Sequence, residues 1–288
     1  MHTKYNQLAK TLGPLAAQLV LTLYERQRPV FHSKEAERIL GDRERAKRIV
    51  SGLVRRGIAT RLKPGIFRLV PFELGFEREY LGNAYVVARE IALRGHIRRR
   101  AAKALQDYYL SHGSAFDLHQ MVTQPQLVVY VSSPRLIRPG TIQGTEFRFI
   151  RCKPSHLFGI TEKWVDKTEK VRVSDLERTL LDGLKQPEYC GGITEVAKAL
   201  SIKHDLLNAH RLVEYALKLE IGAVIRRLGY LMELYRIGSS ELLARLQSEL
   251  SATYHLLDPG ISSDGKYHAR WRLRLNISEA ELLAVGAS

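Results

Sequence analysis

FHSKEAERILGDRERAKRIVSGLVRRGIATRLKPGIFRLV, residues 31–70, holds three local patterns in succession. A short helix opens at Ser33, a residue able to cap the free N–H groups of a first turn. Gly41 and Asp42 break it. A second helix is predicted over roughly Arg43 to Arg56, because Ala46, Ile49, Val50, Leu53 and Val54 recur at helical spacing and can bury one face. Gly57 ends it, as a C-terminal glycine often does. Ile58 to Val70 then reads as two short strands around the turn tripeptide Lys63-Pro64-Gly65. This succession is that of the second half of a winged helix-turn-helix, in which a helix enters a groove of duplex DNA beside a hairpin.

Charge follows the same stretch. Residues 1–72 hold 15 Lys or Arg against 5 Asp or Glu, a net of +10, in a chain whose total is +15. Affinity for DNA is largely phosphate neutralisation, so a local excess of this kind is what a DNA-binding surface needs. Ser33 and Lys34 are expected to touch phosphate from the first helix of the pair. Arg43, Arg45, Lys47 and Arg48 are expected in or beside the major groove, since base contacts come from the first half of a recognition helix. Arg55 and Arg56 close that helix, and Arg61 and Lys63 would reach phosphates or the minor groove from the hairpin.

Upstream, PLAAQLVLTLYERQ (14–27) predicts a core helix with Pro14 in its first turn. Tyr5, Leu8 and Leu12 suggest a preceding turn or arm. Downstream, PFELGFEREYLGN (71–83) mixes Pro, Gly and acidic residues, and the domain boundary is placed inside it: residues 1–75 form the basic domain and 76–288 the second. Residues 83–110 read as one or two helices, with a solvated basic run at Arg98 to Arg100.

The second domain reads as mixed. Residues 114–122 predict a short helix, and LVVYV (127–131) a buried strand. TIQGTEFRFIRC (141–152) predicts a half-exposed strand, and 156–165 and 170–173 two more. VSDLERTLLDGLKQPEYCGGITEV (173–196) is the most characteristic part. Ser174 and Glu177 match a capping box, Leu176, Leu180, Leu181 and Leu184 form a buried stripe, and Pro187 stops the helix. Gly191 and Gly192 introduce the next helix as a tight turn, although N–H groups there could hold an anion. Residues 205–250 are helical, RWRLRLNI (270–277) alternates as a final strand, and Ser278 caps a short last helix. The fold class expected is α+β: a winged helix-turn-helix, then an α/β domain with a small sheet and a helical C-terminal part.

The segments VSDLERTLLDGLKQPEYCGGITEV (173–196), RRLGYLMEL (226–234) and SHGSAFDLHQMV (111–122), behind the basic N-terminal helices, resemble the AbiEi family of bacterial antitoxin-type regulators. The likeness spans roughly residues 14–235, and its strongest piece is ERTLLD (177–182) with the downstream glycine pair. The resemblance implies a repressor of its own operon, bound to duplex operator DNA; because winged-helix regulators often pair on palindromic sites, inverted repeats are expected there, whether a dimer or two monomers occupy them. It also implies a neighbouring nucleotidyltransferase-like toxin (type IV toxin–antitoxin systems), which the α/β domain counteracts. Some members of the family act as plain DNA-binding proteins.

Rival chemistries lack their residues. Gly113-Ser114 opens like a nucleotidyltransferase signature, but no carboxylate pair follows; Asp117-Leu118-His119 is the nearest. A metal-dependent nuclease needs an Asp and a Glu-x-Lys on adjacent strands, absent from 127–173; Asp264-Gly265-Lys266 sits in a turn-rich loop. His204, Asp205 and His210 lie on a helical stretch without a nucleophile. The reading is therefore a non-enzymatic regulator with no metal or cofactor. Its alternatives are a protein- or RNA-interaction module with secondary DNA binding, or a metal-dependent DNA-processing enzyme. Cys152 and Cys190 have no metal-ligand spacing and suit a reduced, cytoplasmic chain. No apolar run approaches membrane-spanning length.

Overall fold

The computed structural model describes residues 12–71, 80–93, 107–122 and 127–286. The arm at Tyr5 and Leu8, the expected boundary between 75 and 76, and the run Arg98 to Arg100 lie outside these residues. The chain divides into two compact units: residues 1–107 with 139–147 and 164–171, and residues 108–138, 148–163 and 172–288. Helices and small sheets mix in an α+β fold. Among the described residues no helix is long and apolar enough to cross a membrane.

In the first unit, α1 (Pro14–Glu25) begins with Pro14, whose missing N–H costs nothing at that position, and buries Leu19, Val20 and Leu23. Strand β1 (Val30–His32) leads into α2 (Ser33–Leu40) and α3 (Arg43–Arg55). The sharp break between these helices needs only two residues. Gly41 ends α2 at φ 75°, a left-handed conformation that glycine adopts at little cost. Asp42 then caps α3, its carboxylate accepting the Arg45 N–H at 2.7 Å. Strands β2 (Ala59–Lys63) and β3 (Ile66–Leu69) form a hairpin, and the three strands pair antiparallel in the order β1-β3-β2. Ala36, Leu40, Ala46, Val50 and Leu53 close the core with α1 and Phe31. Helix α4 (Ala84–Leu93) buries Val86, Val87, Ala88 and Ile91.

A mixed six-stranded sheet follows: β4 (Tyr109–Leu110), β5 (Val128–Ser133), β6 (Gly140–Ile142), β7 (Thr145–Arg151), β8 (Ile160–Trp164) and β9 (Lys170–Ser174), in the order β6-β7-β5-β4-β9-β8. β4 pairs antiparallel with β5 and parallel with β9. The single strand expected over 141–152 is instead a hairpin. Gln143 (φ 47°) and Gly144 (φ 78°) form a two-residue turn whose positive angles match the twist of paired strands. The end of the helical stretch expected at 83–110 is also corrected, because Tyr109 and Leu110 are a central strand.

The second unit also holds the helices α5 (His112–Leu118), α6 (Leu176–Lys185), α7 (Ile193–Lys203), α8 (Ala209–Leu219), α9 (Gly222–Leu234), α10 (Ser240–Gln247) and α11 (Glu279–Gly286). A small sheet of β10 (His255–Leu256), β11 (Lys266–His268) and β12 (Leu273–Leu275) takes the order β10-β12-β11, so the expected final strand is only its Leu273–Leu275 part. Phe116, Leu181, Val196, Leu212, Leu228 and Trp271 share one core. Gly229 leaves room for the Trp271 ring, which occupies the place a Cβ would take.

Two caps differ from expectation. Ser33 does not cap α2; it is the first helical residue, and its N–H donates to the Gly65 carbonyl at 3.0 Å. Asp175, not Ser174, caps α6, accepting the Arg178 N–H at 2.9 Å. Ser174 is spent on Thr179 at 2.7 Å, and Glu177 accepts the Asn208 N–H at 2.9 Å, at the start of a different helix. The start of α7 behind the glycine pair holds an internal anion, since the Asp258 carboxylate accepts the Ile193 N–H at 2.8 Å.

Candidate nucleic-acid interface

Helix α3 has two polar stripes, and the fold treats them differently. Arg43, Lys47, Ser51 and Arg55 turn toward α2 and the hairpin. With Ser33, Lys34, Glu37 and Arg38 of α2, and Arg61 and Gly65 of the hairpin, they line a concavity of about 1190 Å³. Its floor is apolar, with Ala46, Val50, Val54 and Phe67. Lys34, Arg38, Arg43, Lys47, Arg55 and Arg61 are exposed around it, and Glu37 is its one acidic lining residue. Six cations against one carboxylate make the hollow strongly attractive to a polyanion.

Six of the nine residues singled out in the sequence meet here: Ser33, Lys34, Arg43, Lys47, Arg55 and Arg61. Arg45, Arg48 and Lys63 do not line it. Arg45 turns back to donate to the Leu40 carbonyl at 3.4 Å, and Arg48 is exposed on the other stripe. The half-buried Lys63 ends β2. Arg38 joins the set without having been singled out. Its signal was present, because Lys34, Arg38 and Gly41 follow helical spacing and so share a face.

The rim is anchored from behind. Glu90 is buried and receives Arg28 at 3.2 Å, His32 Nε2 at 3.1 Å and Arg89 at 3.0 Å. Burial pushes the Glu90 carboxyl up, but the His32 hydrogen bond and the charges of Arg28 and Arg89 outweigh it, so it titrates below its ordinary range. His32 immediately precedes α2, so this carboxylate fixes the backbone from which Ser33 and Lys34 project. Arg89 also reaches Glu169 at 2.7 Å.

Several residues considered for catalysis have partners within the chain. Ser114 Oγ accepts the Tyr130 N–H at 2.8 Å, and His119 Nε2 lies 2.6 Å from the Ser174 carbonyl. Asp182 receives Arg178 Nε at 3.1 Å. Asp264 is exposed and accepts the Ser262 hydroxyl at 2.7 Å. His204 and Asp205 form an exposed pair at 3.0 Å.

The sequence matches no protein-family profile and no curated protein. Its fold is similar to the crystal structure of the RV2827C protein from Mycobacterium tuberculosis, with a TM-score of 0.65 at 14% identity over 96% of each chain.

Proposed function

We propose that this chain is a non-enzymatic regulator that binds duplex DNA through a winged helix-turn-helix formed by α1–α3 and the β2–β3 hairpin. The observation that carries the reading is the concavity in which six cations from two helices and a hairpin converge. Helix α3 presents Arg43 and Lys47 from its first turns to the major groove, where direct readout occurs. Lys34 and Arg38 on one side and Arg61 on the other reach flanking phosphates. The AbiEi-like segments of the second unit extend the proposal to an antitoxin-type autorepressor, paired on inverted repeats in its own operator. A nucleotidyltransferase-like toxin encoded nearby is its partner, and the cytoplasm its compartment.

The test is a gel-shift titration of the full chain against its own upstream DNA and a scrambled duplex at several salt concentrations. The three phosphate contacts of Lys34, Arg38 and Arg61 predict a loss of roughly fortyfold in affinity between about 50 and 200 mM salt. Replacing Arg43 and Lys47 together by Ala should lower affinity at least tenfold and leave the melting temperature unchanged. The pair Arg45→Ala and Arg48→Ala should do less. The reverse ranking would sink the groove assignment, and equal binding to both duplexes would sink the operator.

A further inference from the structure

The alternating stretch at 270–277 finds no use in the proposed groove. Trp271 and Leu273 are buried in the core, whereas Arg272, in a left-handed turn (φ 49°) just before β12, and Arg274 on the strand are turned away from it. Tyr267 pairs directly with Arg274 across β11 and β12 and therefore shares its face of the small sheet. Tyr254, two residues before Leu256, joins it, because Leu256 pairs with Arg274 on the other side of β12. Four side chains consequently form a ladder. The Arg272 guanidinium stands 5.6 Å over the Tyr254 ring, and its Nη1 donates to the Tyr254 hydroxyl at 3.3 Å. Tyr254 meets Tyr267 edge to face at 5.1 Å, and Arg274 stands 5.5 Å over Tyr267.

Nothing in the hydrophobic core requires this arrangement. Tyr267 is 67% exposed, which leaves most of its ring open to a ligand. Lys266 and Arg272 are exposed as well. Neither they nor Arg274 has a carboxylate partner among the described residues, whereas neighbouring Arg270 is neutralised by Glu233 at 2.8 Å. The nearby Asp264 is held by Ser262. The ladder offers what unpaired nucleotides require: the exposed Tyr267 ring, with the half-exposed Tyr254 beside it, for bases, and cations without carboxylate partners for phosphates. Duplex DNA hides its base faces and gains nothing from exposed tyrosines.

We infer that the outer face of the small sheet, with Tyr254, Tyr267, Lys266, Arg272 and Arg274, is a binding site for single-stranded nucleic acid. Bases stack on the tyrosines, and the arginines hold both the rings and the flanking phosphates. The site is separate from the α3 groove and does not depend on its assignment.

Fluorescence anisotropy of the full chain with labelled single strands of about 12 nucleotides, RNA and DNA of one sequence, against the matching duplex, tests it. Tyr254→Ala with Tyr267→Ala should weaken single-strand binding about tenfold or more, because each stacked base carries a large share of the affinity. The corresponding double Phe variant keeps the rings and should bind like the parent. The exposed Tyr267→Ala change alone, with circular dichroism as the check on folding, gives the same reading if the double variant is unstable. Arg43→Ala with Lys47→Ala should leave single-strand binding in place. Tighter binding of RNA than of DNA assigns a 2′-hydroxyl contact, and equal binding assigns stacking and phosphates alone. Alanine variants that bind like the parent, loss of single-strand binding with the groove variant instead, or binding of an acidic polypeptide in place of oligonucleotides would overturn the inference.

Discussion

Arginines meet opposite fates on α3 of the first unit and on α6 and α9 of the second. On α3 they stand on the polar face of an amphipathic helix, around a hollow. On α6 and α9 they are inside: Arg178 and Arg226 are 1% exposed and Arg227 4%. Arg178 gives its three nitrogens to Asp182, the His156 carbonyl at 2.7 Å and the Tyr109 hydroxyl at 2.6 Å. Arg226 and Arg227 satisfy themselves largely on backbone carbonyls, those of Ser251 at 2.9 Å and Leu184 at 2.6 Å among them. Burial lowers Arg227 to about 10. A net charge of +15 therefore overstates the charge at the surface, by these three arginines of the second unit and by the buried Arg68 of the first. The surroundings decide: α9 reads GAVIRRLGYLMEL, apolar on every side, and a helix of that kind carries its arginines into the core.

Removing a buried guanidinium is the strongest way to break the comparison. Arg178→Ala strands Asp182 in the core and should cost about 3–5 kcal/mol, enough to unfold much of the second unit, as urea denaturation would report. A loss below about 1 kcal/mol would mean that Arg178 behaves like a surface residue.

Acid sharpens the contrast further. Burial lowers His112 and His119 of the second unit to about 4 from an ordinary 6.5. Between those values the unfolded chain binds protons that the folded chain refuses, so stability falls as pH drops from 6.5 to 4, by up to about 1.4 kcal/mol per pH unit for each histidine. Glu90 of the first unit is a carboxylate lowered below 4.5, so its contribution is lost only at still lower pH. The second unit should therefore loosen first. Trp271, buried in its core, reports this by fluorescence in a Trp164→Phe background; stability that stays level between pH 7 and 5 would refute it.

The smallest effect belongs to the first unit. Asp42→Ala removes one cap of α3 and should cost about 1 kcal/mol, a shift of a few degrees in the melting curve.

Local features of both units were legible in the sequence. The Gly41-Asp42 break, the apolar stripe of α3, the turn at Lys63-Pro64-Gly65 and the leucine stripe of α6 depend on neighbours within a few residues. What escaped depends on distant ones. Asp258 caps a helix 65 residues away, and Glu177 serves the start of α8, not its own. The Gln143-Gly144 turn was hidden because alternation continues on both sides of it. In the groove, charge and helix placement could be read, but which stripe faces the hairpin could not. That depends on the crossing of α2 and α3, which brings Arg38 in and leaves Arg45 and Arg48 out.

The bond from the Ser33 N–H to the Gly65 carbonyl has a thermodynamic consequence. It ties the tip of the hairpin to the first residue of α2, so the two sides of the hollow are one ordered frame. Ordering a loose loop on association costs about 1–2 kcal/mol per residue in backbone entropy, and this frame has already met that cost on folding. A partner docking here meets a surface whose curvature is set in advance. The heat-capacity change of association then tracks the surface buried, without the extra contribution of a segment that folds as it binds.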